Sequence, residues 1–212
     1  MKKIIIVGAG GFGREVEWLI NRINKQQPTY EVIGFADDGK AKGEKVGHSK
    51  VIYTTEELGK AKEELNVVIA IGNAKVRKML AEKLSSNKNL SFPNLIDPAV
   101  IFDEEEVTLG QGNIICSGTI MTVNINIGNF NIINLDCTIG HDDILKDYIT
   151  IYPSVNVSGN VIVENCVEIG TGTQIIQGLN IKDDTIIGAS AVVVKNIEES
   201  GTYVGIPVKR IK

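Results

Sequence analysis

The sequence predicts an α/β unit built on a parallel sheet, followed by a parallel β-helix. Three observations predict it. A glycine-rich turn follows an apolar strand near the amino terminus, strand and helix patterns alternate up to Leu84, and an aliphatic residue recurs every six positions from Leu109 onward.

In the first half, Lys3 to Val7 reads as a buried strand and Gly8-Ala9-Gly10-Gly11-Phe12-Gly13 as a tight turn. Arg14 to Ile23 carries helical apolar spacing at Val16, Leu19, Ile20 and Ile23. The alternation then repeats: Glu31 to Phe35 is a second strand, Thr55 to Leu65 a helix, Val67 to Ile71 a third strand and Lys75 to Leu84 a helix. This βαβαβ order specifies a parallel, Rossmann-like sheet over residues 1–86. Residues 87–108 read as a linker, with Pro93 and Pro98 stopping regular structure.

The second half, 109–195, is governed by its period. Leu109, Ile115, Met121, Ile127, Ile133, Ile139, Leu145, Ile151, Val157, Val163, Ile169, Ile175, Ile181, Ile187 and Val193 fall six apart without a break. Four residues after many of them stands a small or β-branched residue, as at Thr119, Cys137, Val155, Val161, Val167, Thr173, Thr185 and Ala191, which makes a second inward column. Gly110, Gly128, Gly140, Gly170 and Gly188 directly follow the aliphatic position, where the backbone needs positive φ or room for the next coil. Helices and ordinary strands have side-chain periods of 3.6 and 2, so neither accommodates this pattern. A triangular coil of three hexads does, and it stacks residues eighteen apart at about 4.8 Å. Asn113 and Asn131 then share an interior column and are expected to form a short amide ladder. Residues 196–212 form a tail after the last hexad.

Composition narrows the function. With 22 basic and 26 acidic residues and a net charge of -4, the chain has no basic stripe for nucleic acid. Cys116, Cys137 and Cys166 are odd in number and lack CxxC spacing, which indicates a reducing compartment. Arg14 and Glu15 cut short the apolar stretch after Lys2-Lys3, so no secretory leader or membrane span is expected and the reading is cytoplasmic. His48 and His141 are the only histidines, too few for a zinc site of three imidazoles, and no metal is expected.

The spacing Gly8, Gly10, Gly13 between a strand and a helix matches the dinucleotide fingerprint, in which backbone N–H groups approach a pyrophosphate. The acidic pair Asp37-Asp38 ends the second strand, where a carboxylate would meet a ribose or base, although Asp is equally at home in a plain turn. A full dinucleotide site needs two such halves, and only about one is present. The expected ligand is therefore a single nucleotide. Arg77 suits either a phosphate contact or a solvated helix face, and His48 sits in a polar loop as a surface residue.

The hexad half resembles the hexapeptide-repeat acyltransferases along its whole length, and that resemblance implies a left-handed coil. The entire chain is similar to the nucleotide-sugar N-acetyltransferases of bacterial glycan pathways, the bacillosamine- and perosamine-forming type, and to relatives linked to sialic acid O-acetylation (PglD- and NeuD-like). The residues that carry it are Gly8 to Gly13, Gly34-Phe35-Ala36-Asp37-Asp38, Ala70-Ile71-Gly72-Asn73, Gly140-His141-Asp142 and Gly205-Ile206-Pro207. The resemblance implies that acetyl-CoA is the co-substrate, that a nucleotide-linked amino sugar is held by Gly10, Gly11, Asp37, Asp38 and Asn73, and that the enzyme is a homotrimer. It places acyl-CoA contacts at Gly159, Ala189, Lys195 and Ile206, with the tail contributing, and puts Asn134 near the acetyl group.

His141 lies two residues past the inward Ile139 and so points out of the coil, with Gly159 one coil beyond it and Val123 one coil before. Gly159 leaves space for a thioester to approach. Acetyl transfer to an amine needs a base that titrates near neutrality, and imidazole is that group. Asp142 or Asp143 would orient the ring, and neighbouring N–H groups or Asn134 would steady the oxyanion. Where the family usually shows Glu after this His, Asp142 stands here, and Asp143 occupies a place where neighbouring hexads carry small residues. No activated Cys or Ser is evident for an acyl-enzyme, so direct transfer is expected. The alternatives are O-acetylation of a sialic acid or other glycan precursor, and a non-enzymatic nucleotide-sensing module.

Overall fold

The computed structural model describes all 212 residues, which divide into two compact units, Met1–Pro98 and Ala99–Lys212. The first holds strands β1 (Lys2–Val7), β2 (Tyr30–Ala36), β3 (Lys45–Val46), β4 (Ser49–Tyr53), β5 (Leu65–Ile69) and β6 (Leu90–Ser91), with helices α1 (Gly11–Gln26), α2 (Thr55–Gly59) and α3 (Ala74–Ser85). The sheet order is β3-β4-β2-β1-β5-β6. Strands β4, β2, β1, β5 and β6 run parallel, and β3 is antiparallel to β4. Ile4, Ile5 and Ile6 are consecutive and each 0 % exposed, as expected of a central parallel strand covered on both faces.

Three features differ from the sequence reading. The helix expected over residues 55–65 ends at Gly59, and β5 begins at Leu65. The short α2 forms because Thr54 and Glu57 make a reciprocal capping box. His48, expected in a polar loop, sits in the turn of the β3–β4 hairpin. The strand β3 is only two residues long, and the anchor of the hairpin is a buried carboxyl: Glu17 of α1, 3 % exposed, accepts hydrogen bonds from His48 N at 3.1 Å and Ser49 Oγ at 2.5 Å. Residues 87–108 are not bare linker, since β6 adds to the sheet edge beside β5 and Val107–Leu109 pairs with Ile125–Ile127.

The second unit is a left-handed parallel β-helix with three flat faces. One face stacks Ile114–Ile115, Ile132–Ile133, Thr150–Ile151, Glu168–Ile169 and Ile186–Ile187. The next stacks Ile120–Met121, Thr138–Ile139, Asn156–Val157, Gln174–Ile175 and Val192–Val193. The third stacks Val107–Leu109, Ile125–Ile127, Ile144–Leu145, Ile162–Val163 and Asn180–Ile181. Partners are eighteen apart, as Ile133 and Ile151 illustrate. Every aliphatic position from Ile115 to Val193 is buried, and Thr119, Cys137, Val155, Val161, Val167, Thr173, Thr185 and Ala191 are all 0 % exposed.

Corner geometry separates the two roles proposed for glycine. Positive φ falls three residues after the aliphatic position, at Asn124 (55°), Phe130 (54°), Asp136 (61°), Asp142 (64°) and onward, and mostly on non-glycine residues. Gly110, Gly128, Gly140, Gly170 and Gly188 instead provide room. A Cβ on Gly140, for example, would lie 2.5 Å from Gly159 N in the next coil.

Asn113 and Asn131 form their ladder through the backbone. Asn113 Oδ1 accepts from Asn131 N at 2.8 Å and Asn131 Oδ1 from Ile149 N at 2.7 Å, while their amide nitrogens donate to Gly128 O and Lys146 O. Asp143 belongs to this pattern, which accounts for its unusual place among small inward residues. At 0 % exposure, its Oδ1 accepts from Val161 N at 2.8 Å and its Oδ2 from Gly140 N at 3.0 Å. Burial pushes this carboxyl up to about 7. Thr202–Val204 of the tail adds to the face ending at Ile186–Ile187, and Lys209–Arg210 folds back against it.

Candidate active site

His141 occupies the corner Gly140-His141-Asp142-Asp143 between Thr138–Ile139 and Ile144–Leu145. Its side chain is 50 % exposed, in keeping with an outward direction. Nδ1 meets Asp142 Oδ2 at 2.8 Å. An ionised carboxylate can only accept, so Nδ1 carries the proton and Nε2 presents its lone pair. The left-handed φ of 64° at Asp142 makes this contact between adjacent residues feasible by folding the carboxylate back toward the ring. Asp142 lies below the usual carboxylate range, held there first by Asn124 Nδ2 at 2.6 Å and then by His141. Asp142 and not Asp143 is thus the ring's partner. Asp143 braces the corner from inside through Gly140 N.

The ring rests over Gly159, which is buried and one coil away. A Cβ there would fall 2.6 Å from His141 Cε1 and closer still to Nε2. His141 O in turn accepts from Asn160 N at 2.7 Å. Lys195 shares this outward column, three eighteen-residue steps beyond His141, or about 14 Å along the axis. Ala189 lies at a different corner of the late coils, and Ile206 projects from the tail at 76 % exposure. Asn134 is not beside His141. It stands one strand earlier at the preceding corner, 9 % exposed, with Oδ1 accepting from Leu135 N at 2.7 Å. Cys137 is inward, and burial raises its thiol to about 11, which removes it as a nucleophile.

In the α/β unit the glycine turn divides by role. Gly8 has φ 98°, and a Cβ there would meet Ala70 O at 2.9 Å; one on Gly13 would strike Gly8 O. Gly10 and Gly11 face open space at the start of α1, which has no side-chain cap. Asp37, Asp38 and Asn73 each have internal partners, and Asp37 alone bonds this turn. Asp37 accepts from Ala9 N at 2.7 Å and Gly39 N at 2.8 Å. Asp38 accepts from Thr55 N at 2.7 Å and Thr55 Oγ1 at 2.6 Å, which lowers its carboxyl. Asn73 caps α3 through Val76 N. Arg77, expected on a solvated face or a phosphate, is 1 % exposed and donates to Ile71 O at 2.7 Å and Gly72 O at 2.9 Å. It locks the loop before α3 from within.

A left-handed β-helix with an outward His–Asp corner, following an α/β unit with an open glycine turn, defines a hexapeptide-repeat acyltransferase. Residues 3–84 match the PglD N-terminal domain. The GDP-perosamine N-acetyltransferase of Escherichia coli O157:H7 is 31% identical over 190 residues, 87% of this chain and 82% of the relative. Among solved structures, the acetyltransferase domain of PglB from Neisseria gonorrhoeae FA1090 in complex with acetyl coenzyme A superposes with a TM-score of 0.91, at 28% identity over 99% of each chain. WeeI from Acinetobacter baumannii AYE gives 0.87 at 32% identity over 100% of both. The chain belongs to the nucleotide-sugar N-acetyltransferase family of the PglD type, and it is an acyltransferase.

Proposed function

We propose that this protein transfers the acetyl group of acetyl-CoA to the amino group of a nucleotide-linked amino-deoxy sugar, by direct attack with His141 as general base. The observation that carries this reading is the His141–Asp142 contact of 2.8 Å on an exposed corner, with the ring seated over Gly159. The sugar amine attacks the thioester carbonyl and His141 Nε2 accepts the N–H proton. The C–S bond then breaks, and the imidazolium returns the proton to the departing thiolate. Asp142 stabilises the imidazolium through Nδ1. Asn134 braces its own corner and is assigned no chemical step.

Support for the two substrates comes from the relatives. One is solved with acetyl coenzyme A, and another is named for acting on GDP-perosamine. Lys195, on the column of His141 and Gly159, suits a phosphate of the CoA moiety, with Ala189 and Ile206 beside its far end. Gly10 and Gly11 offer the open backbone for the nucleotide, Asp37 holds their turn through Ala9 N, and Asp38 and Asn73, at the starts of the loop–helix junctions that follow β2 and β5, complete the set assigned to the substrate.

The working form is a homotrimer in which copies meet beside His141. Val123 (51 % exposed), Ile120 (39 %) and Ile144 (38 %) border that corner as outward apolar groups. No helix is long and apolar enough to cross a membrane, and the site of action is the cytoplasm, which holds acetyl-CoA.

The test is CoA release from acetyl-CoA with a UDP-4-amino sugar, a GDP-amino sugar or a sialic acid as acceptor. Turnover with an amino sugar and a loss of at least tenfold in His141→Ala are expected. Turnover with the sialic acid alone would overturn N-acetylation, and an active His141→Ala would overturn the base assignment. A monomer in sedimentation would remove the trimer.

A further inference from the structure

The outward corner residues stack as Glu106, Asn124, Asp142 and Asn160, eighteen apart. Asn124 N donates to Glu106 Oε2 at 3.3 Å, and its Nδ2 donates to Asp142 Oδ1 at 2.6 Å. Asp142 N is fixed by Val123 O at 3.1 Å. Asp142 is therefore gripped on one oxygen by an amide from the preceding coil and offers the other to His141.

A related contact at another corner shows what is particular here. Asn129 reaches Asp147 one coil on, but there a single oxygen, Oδ1, receives both Asn129 N at 2.7 Å and Asn129 Nδ2 at 3.0 Å. That contact ties the Asp147 carboxylate to the backbone of the preceding coil. At Asn124 only the side chain reaches the carboxylate, and the second oxygen meets an imidazole nitrogen at 2.8 Å. Both residues of the pair are about half exposed, so without a grip the short Asp142 side chain could rotate into water.

We propose that Asn124 is a positioning residue, the third member of an Asn124–Asp142–His141 chain, which holds Asp142 in the rotamer that fixes the His141 tautomer. The proposal rests on His141 acting as the base. Asn suits this place twice over. It adopts φ 55° readily, and its amide donates to a carboxylate without adding charge beside Glu106 and Asp142. The charged or titratable groups around the ring are Asp142, the buried Asp143 and, two coils back beyond Asn124, Glu106.

Two variants separate positioning from corner stability. Asn124→Gly keeps the left-handed backbone and removes the amide, while Asn124→Asp keeps shape and replaces the donor with a repelling carboxylate. With two histidines in the chain, the His141 ring proton can be followed by NMR beside the pH dependence of kcat/KM. The Gly variant is expected to mobilise the His141 ring and mix its two tautomers in the NMR spectrum, since Asp142 is no longer held, and the Asp variant to do the same by repelling Asp142. Both should lose at least fivefold in kcat, with KM for acetyl-CoA within twofold. Unchanged kcat and an unchanged His141 tautomer in both folded variants, beside an inactive His141→Ala, would overturn the proposal while leaving the base assignment intact. An active His141→Ala would instead remove the reading on which it rests.

Discussion

The imidazole of His141 occupies the volume that a side chain at residue 159 would fill, with an added Cβ 2.6 Å from its Cε1. The fold tolerates a larger residue elsewhere in this column, where Val123 and Gln177 stand, so the constraint belongs to the ring and not to the coil.

Gly159→Ala is accordingly expected to displace His141 and lower kcat by about a hundredfold, a scale typical of misplacing a catalytic group by an ångström. Its melting temperature should stay within a few degrees of wild type. Steady-state kinetics paired with thermal unfolding checks this, and an active Gly159→Ala would show that the ring is free to relocate.

Asp143 couples stability to pH. Its folded-state pKa of about 7 lies above the ordinary 3.8, so the native state holds a proton that the unfolded chain has released across that interval. Its contribution to the unfolding free energy therefore falls as pH rises from about 4 to about 7 and is level above. Asp143→Asn keeps an acceptor for Val161 N and removes the titration. Its melting temperature relative to wild type should rise between pH 5 and pH 8; a parallel pH dependence in the two proteins would refute the coupling.

Glu17 anchors the β3–β4 hairpin from α1. Replacing it with Ala removes the acceptor of His48 N and Ser49 Oγ, donors that water can partly reach, with an expected cost of about 1 kcal/mol. Denaturant unfolding gives the magnitude. Amide exchange at Val46 to Val51 should accelerate before the rest of the unit, and uniform protection would contradict the anchoring role.

Asn131→Val retains an inward residue of suitable size but strips the partners from Ile149 N and Lys146 O. A loss of about 2–4 kcal/mol is expected, larger than for a typical surface change. Stability equal to wild type would mean that the interior amides are dispensable packing.

The coil was legible because its period is enforced at every turn: one inward aliphatic residue per hexad leaves a signal that no local exception erases. His141 was legible from its phase within that period. Asp142 as its partner was not distinguishable from Asp143 by spacing, since the choice depends on a left-handed φ at one residue and an inward direction at the next. Asn124 lies eighteen residues from its contact and carries no motif, so only the coil register discloses it. In the α/β unit the glycine turn was readable, but Arg77 was not. A buried arginine that donates to two carbonyls looks, in sequence, like any helix-surface cation.

The eighteen-residue register also limits how this protein can change length. Insertion of a single hexad between Val163 and Glu164 would turn everything downstream by a third of a circle and carry Lys195 off the column of His141. Insertion of eighteen would keep the column and separate the two by a further 4.8 Å or so. Growth or loss in this coil that preserves its site is thus quantised, in whole turns.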